Sequence, residues 1–248
     1  ESNNIADFES SIVGEPGELN GTFFIAILSE HKAFFLTDRF GSVPVFFYCS
    51  DDHELILSTG YQCLLNLLSS KEAGGIVETA VYEFIYMRRL FGTKSYHENV
   101  RCLPAGTATT YQKEEGSPIV NEYWSPRLVS LGPASELPEL LAKGLRGAAN
   151  LYMPSDRGQY GLMLSGGLDS RILLALGKDR YKTFTTARTQ NNENDVAMRL
   201  SNLYGAEHHF LRRDPEYMAK NFNEAILASN AMTVFYECQF VGFAKRLA

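Results

Sequence analysis

Cysteine is scarce in this chain: four residues among 248, Cys49, Cys63, Cys102 and Cys238, far apart and with no CxxC pair. That usage excludes a zinc ribbon and a disulfide scaffold and fits a reducing compartment. Basic residues are outnumbered, 23 Lys+Arg against 29 Asp+Glu for a formal charge of −6, which disfavours a nucleic-acid binder resting on a basic face. Long apolar runs are missing too. Phe23–Leu28 and Ile172–Leu176 fall well short of the roughly 18 residues a membrane span needs, so a soluble, cytoplasmic protein is expected. No initiator Met and no basic-then-apolar leader stand at Glu1, and internal repeats and low-complexity segments are absent. What is present is ordinary globular composition, 45% hydrophobic and 21% charged, enough for one large domain or two compact ones at roughly 100–200 residues each.

Along the chain, Thr22–Leu28, Lys32–Thr37 and the run ending at Tyr48 are short and aromatic-rich, separated by Ser29-Glu30-His31 and Asp38-Arg39-Phe40-Gly41 with Pro44. These are antiparallel strands with polar turns. Glu54–Ser58 reads as a further strand leading into Tyr61–Leu68, Val77–Arg89 as an amphipathic helix, and Thr107–Gln112 and Asn121–Trp124 as another strand pair. Pro126–Pro138 reads as a linker. Beyond it the pattern alternates: helix Glu136–Leu151, strand Tyr160–Leu164, helix Ser170–Leu176, strand Lys182–Thr186, helix Asp195–Tyr204, strand Glu207–Leu211, then a mostly helical stretch over Pro215–Lys245. Such alternation predicts a parallel sheet with crossover helices.

The chemistry concentrates in Gly161–Leu176, where an apolar strand runs into Ser165-Gly166-Gly167-Leu168-Asp169-Ser170 and a helix starts at once. Consecutive glycines permit a tight turn and close ligand approach, and the amides opening the helix point into that turn. Such a turn suits an anion. Ser165 and Ser170 offer hydroxyl donors, and Asp169 belongs beside phosphates when a cation such as Mg²⁺ sits between them. The segment is neither GxxxxGK[ST] nor GxGxxG. For SGG alone the plainer reading is a strand-to-helix turn capped by Asp169 or Ser170.

SGGLDS after an apolar strand resembles the pyrophosphate loop of the asparagine synthetase family, within the ATP pyrophosphatase superfamily. The first half is similar to the same family's amino-terminal domain. Leu19-Asn20-Gly21-Thr22-Phe23-Phe24-Ile25-Ala26 and Asp38-Arg39-Phe40-Gly41-Ser42-Val43-Pro44-Val45-Phe46 match its LxGxFAFA…RDxxGxxPLYY stretch, and Leu103-Pro104-Ala105-Gly106 with Tyr123-Trp124 resembles its end. The resemblance implies a mixed α/β and α+β architecture. An N-terminal-nucleophile-like antiparallel β domain over residues 1–128 would precede a Rossmann-like parallel α/β ATP pyrophosphatase domain over 129–248, each incomplete. It further implies that Ser165, Gly166, Gly167, Asp169 and Ser170 bind ATP and its pyrophosphate, with Asp169 on Mg²⁺, and that Leu164 and Thr186 present backbone to adenine. Ala187 stands where the family usually has Gly. Asn194-Asp195 and Ala197 match the family's spacing after that strand, with a helix cap the alternative for Asp195.

By the same resemblance the activity is an ATP-dependent amide-forming ligase: a carboxylate, aspartate by default, becomes an acyl-adenylate with pyrophosphate release, then an amine or ammonia displaces AMP. β-Lactam synthetases and lasso-peptide cyclases share the loop, and a non-catalytic nucleotide-binding relative is the alternative from another class. A homodimer is compatible; nucleic acid and membrane are not expected as partners. The family's glutaminase chemistry needs an amino-terminal cysteine, an Arg and an Asn-Gly-Glu segment, none of which this sequence contains. Cys49, Cys63 and Cys102 read as small buried residues. The family's second signature, SGxGxDE, would follow Ala248, so the expectation is a piece of a longer polypeptide. His208-His209, adjacent on a strand, point to opposite sides and read as structural. Asp51-Asp52 and Glu114-Glu115 read as solvated hairpin tips, and Asp38–Pro44 as a structural turn.

Overall fold

The computed structural model describes residues 19–127, 132–153 and 160–244. Glu1, residues 128–131 of the expected linker, and 245–248 lie outside them. The chain divides into two compact units, Glu1–Arg127 with Asn223–Cys238, and Leu128–Phe222 with Gln239–Ala248. The architecture is mixed α/β, with antiparallel sheets in the first unit and a parallel sheet in the second. Among the described residues no helix is long and apolar enough to cross a membrane.

The first unit holds a four-stranded antiparallel sheet in the order β1 (Phe24–Leu28), β2 (Lys32–Thr37), β6 (Thr107–Gln112), β7 (Ile119–Glu122). A three-stranded sheet runs β4 (Leu55–Ser58), β3 (Phe46–Cys49), β5 (Arg101–Cys102). Central strand β2 shows why the aromatic runs form strands. Side chains alternate across a strand, so Phe35 enters a core with Val45, Leu103 and Tyr111 that β3 and β4 complete through Phe47, Leu55 and Leu57. Phe34 and Leu36 pack on the opposite face with Ala108, Ile25 and Tyr123. Each such side chain, fully buried, contributes about 1.5–3 kcal/mol. A third cluster, Phe46, Tyr61, Leu64 and Val100, forms under α1 (Tyr61–Leu67). Helices α2 (Ser70–Ala73) and α3 (Glu78–Met87) follow, α2 entered through a capping box between Ser69 and Glu72.

Two expectations shift here. The last strand of the larger sheet is Ile119–Glu122 rather than Asn121–Trp124, because the N–H groups of Tyr123 and Trp124 both donate to the Gly106 carbonyl and leave the ladder. The expected linker ends earlier: α4 (Leu137–Tyr152) begins inside it, with Pro138 in the first turn where its missing N–H costs nothing. The stretch from Pro215 is mostly helical, as expected, but it is broken into separate pieces. After α7 (Tyr217–Ala228), Asn230 and Ala231 adopt left-handed backbone, φ 55° and 57°, which ends the helix. Short 3₁₀ turns at Phe235–Cys238 and Val241–Phe243 follow. The returning segment is bound into the first unit: Tyr61 N–H donates to Asn230 Oδ1 at 2.8 Å and Tyr96 Oη to the Ala231 carbonyl at 2.7 Å. Arg89 pairs with Glu237 at 3.1 Å.

In the second unit, β8 (Tyr160–Met163), β9 (Tyr181–Ala187) and β10 (Glu207–Arg212) form a parallel sheet in the order β10-β9-β8. Helix α5 (Leu168–Gly177) crosses from β8 to β9 and α6 (Asn192–Tyr204) from β9 to β10. Central β9 is buried on both faces, as parallel sheets are. Leu162, Leu164, Leu174, Ala197 and Ala206 fill one side, and Phe184, Leu211, Tyr217 and Phe243 the other.

Candidate functional site

The carboxyl ends of parallel strands are where α/β folds place ligands, and here the turn between β8 and α5 opens at that end. Apolar Leu162 and Leu164 anchor the strand in the core, so the polar residues that follow emerge beyond it. Gly167 is the residue before the helix, and no side chain caps its first turn. Asp169 and Ser170 therefore do not cap it, and the leading N–H groups are left to other acceptors.

The loop is held by its two serines. Ser165 Oγ accepts the Gly167 N–H at 3.1 Å, Ser170 Oγ accepts the Ser165 N–H at 3.2 Å, and the two hydroxyls lie 3.3 Å apart. They brace each other as well as facing the loop, where the sequence had suggested ligand donors or, for Ser170, a helix cap. The glycines also act differently from expectation. Neither Gly166 nor Gly167 has positive φ, so the turn does not demand them for backbone reasons. A Cβ on Gly167 would sit 3.1 Å from Ser165 Oγ, and one on Gly166 would reach Glu193 and Val196 of α6 at 3.8 and 3.9 Å. Their smallness keeps the loop surface open.

Asp169 is exposed in the first turn of α5, and no hydrogen bond or ion pair with another described residue engages its carboxylate. Glu193, in the first turn of α6, brings a second carboxylate to the neighbourhood of Gly166. Hard oxygens of this kind suit Mg²⁺, which takes one or two carboxylates and completes its shell with phosphate and water. Among the described residues no cluster of three or more His, Cys, Asp or Glu could hold a metal by itself, so a cation here would depend on the ligand's own oxygens.

Leu164 and Thr186 are differently placed. The Leu164 N–H donates to the Phe184 carbonyl at 2.8 Å and its carbonyl accepts the Thr185 hydroxyl at 2.7 Å, leaving the carbonyl's second lone pair for a ligand. The Thr186 hydroxyl donates to the Leu211 carbonyl on β10 at 2.8 Å, away from the serine loop. Ala187 is buried, and its carbonyl accepts from the Arg213 N–H.

Behind the site, Asn191 rather than Asp195 caps α6, its side chain accepting the Asn194 N–H at 3.1 Å. Asn194 is 2% exposed and lies 3.3 Å from His208 Nε2, whose Nδ1 is 3.0 Å from Thr183 Oγ1, itself 2.7 Å from Ser201 Oγ. Burial, and secondarily the neighbouring His209, hold the His208 pKa below its ordinary value. His209 stacks on Phe184 instead and pairs with Glu207. The two histidines do face opposite ways, each within local structure.

In the first unit Asp38 is 1% exposed. Its carboxylate accepts the N–H groups of Phe23, Phe40 and Ser42 and the Ser42 hydroxyl at 2.9–3.2 Å. Burial alone would raise its pKa; the N–H donors from Phe40, Ser42 and Phe23 outweigh that and hold it below 3.8. This is a structural turn. Cys49 and Cys102 are half-buried, whereas Cys63 is exposed, contrary to expectation, because it lies on the outer side of α1. Burial pushes the Cys102 thiol up, the opposite of an activated nucleophile. Asp51, Asp52, Glu114 and Glu115 are exposed, as hairpin tips are.

One residue the sequence reading passed over is Arg171, whose Nη2 donates to the Gly166 carbonyl at 2.9 Å. A cation in the opening turn of the helix after the loop was the available signal.

Residues 140–243 match the family model described as asparagine synthase, and residues 15–124 match the one described as glutamine amidotransferase domain. The serine–glycine loop and all three parallel strands fall in the first match, and both antiparallel sheets in the second. No curated protein matches the chain.

Proposed function

We propose, for a chain that belongs to an asparagine synthetase-like family, that the ligase reaction is ATP-dependent and is run at the β8–α5 turn. The observation that carries this is the uncapped helix start behind Ser165-Gly166-Gly167-Leu168-Asp169-Ser170 at the carboxyl end of a parallel sheet, inside the segment that matches asparagine synthase.

In this reading a substrate carboxylate oxygen attacks the α-phosphorus of ATP, the α–β bridging bond breaks, and pyrophosphate leaves an acyl-adenylate. Ammonia or an amine then attacks the acyl carbon and AMP departs. The first-turn N–H groups of α5, with Ser165, Gly166, Gly167 and Ser170, receive the pyrophosphate, because their dipoles already point where negative charge grows. Mg²⁺, held by Asp169 and the phosphates, would neutralise part of that charge when bound. Leu164 and the β9 backbone at Thr186 border the adenine. Aspartate, or a carboxylate like it, is the substrate, and a homodimer in the cytoplasm the working form. The two domains, 1–128 and 129–248, are N-terminal-nucleophile-like and Rossmann-like. None of the four cysteines is assigned a glutaminase role.

The test is pyrophosphate release from Mg·ATP with aspartate and ammonia by the purified chain, wild type against Asp169→Ala. Release by the wild type, abolished in the variant with far-UV circular dichroism unchanged, is expected. Equal release by both would remove Asp169 from the site. ATP binding without release from any carboxylate would instead make this a non-catalytic nucleotide-binding protein.

A further inference from the structure

We infer that Arg171 positions the loop and supplies charge for a polyphosphate, an inference that rests on reading the β8–α5 turn as the pyrophosphate site. Three features of this side chain are unfavourable unless an anion arrives. As the fourth residue of α5, it puts a cation at the positive end of the helix dipole, where negative charge is preferred. Its Nε is buried without a hydrogen-bond partner, a group whose desolvation goes uncompensated. No ion pair with another described residue neutralises it, and Asp169, two positions earlier, lies on a different helix face.

Helical side chains lean toward the amino terminus, which carries the guanidinium back over the loop, where Nη2 bonds the Gly166 carbonyl at 2.9 Å. That bond occupies a carbonyl dipole that would otherwise be free to turn toward an incoming anion. The rest of the planar fork keeps N–H donors suited to phosphate oxygens. A phosphate group against the α5 amides converts each unfavourable feature into an attraction. With Asp169 and Glu193 both acidic at this end, such a cation also offsets repulsion of the ligand.

The experiment measures binding of Mg·pyrophosphate and Mg·ATP to the whole 248-residue chain by calorimetry. Wild type, Arg171→Met and Arg171→Lys are compared at several salt concentrations, with thermal unfolding as the control for folding. Arg171→Met is expected to weaken pyrophosphate binding about tenfold or more and to flatten its salt dependence, since one charge-assisted partner is lost. Arg171→Lys is expected to restore the salt dependence but to stay several-fold weaker, because a compact ammonium cannot hold the carbonyl and a phosphate as a fork does. Wild-type binding with an unchanged Arg171→Met affinity and salt slope would overturn the inference while leaving the site intact. If Arg171→Met does not fold, an Arg171→Lys protein indistinguishable from wild type would overturn the forked brace. Absence of wild-type binding to either ligand would overturn the site and this inference together.

Discussion

Two polar turns of this chain carry the same kinds of residue and behave oppositely. Asp38-Arg39-Phe40-Gly41 in the first unit buries its aspartate and surrounds it with donors from Phe23, Phe40 and Ser42. Ser165-Gly166-Gly167-Leu168-Asp169-Ser170 in the second unit exposes its aspartate, leaves the helix start uncapped and spends its serines on bracing the loop. A carboxylate whose acceptor sites are filled from within the chain stabilises the fold and has little left for a ligand. A carboxylate beside unfilled helix donors contributes only a weak dipole interaction to the fold and is available for chemistry. The difference between scaffold and site is thus how much hydrogen-bonding capacity remains unspent.

That contrast breaks most visibly if the two aspartates are exchanged in role. Asp169→Ala should reduce Mg-dependent pyrophosphate release by at least about 100-fold, since the carboxylate proposed to hold the metal is lost, with stability within about 0.5 kcal/mol of wild type; enzyme assay and denaturant unfolding report the two. Asp38→Ala should do the reverse. Leaving several buried N–H groups without their acceptor costs about 2–4 kcal/mol, read as a lower urea midpoint, while any surviving folded fraction binds pyrophosphate normally.

The pH dependence sharpens the comparison at smaller scale. Asp38 has its folded pKa below 3.8, so its stabilisation is fully present above the unfolded value and is lost as pH falls through the folded one. Thermal unfolding followed from pH 6 downward should drop less steeply in Asp38→Asn than in the wild type. The smallest effect lies at the strained turn after α7. Ala231 has φ 57°, a conformation costing an L residue roughly 1–2 kcal/mol, so Ala231→Gly should raise stability by up to about 1 kcal/mol after the added chain entropy of glycine. An unchanged or lowered unfolding temperature would mean the strain is absent in solution.

Most strands and helices were legible because their signal is local. Lys32–Thr37 and Thr107–Gln112 have the bounds their patterning predicts, and the serine–glycine loop sits between strand and helix as its flanking residues require. The misplacements came where distant atoms decide. Gly106 captures the N–H groups of Tyr123 and Trp124, moving the strand end. Arg171 was overlooked because its partner, the Gly166 carbonyl, is a backbone atom with no sequence signature.

Periodicity, turn residues and the hexamer SGGLDS are properties of neighbours along the chain, so the sequence alone determined the antiparallel half, the parallel half and the position of the loop. Which hydrogen-bonding groups are already satisfied depends on atoms far apart in sequence, and only the tertiary structure decided that. It filled the carboxylate of Asp38, left that of Asp169 open, tied Asn194 to His208, and turned Arg171 back onto the loop, because burial and partner geometry exist only once the chain has folded.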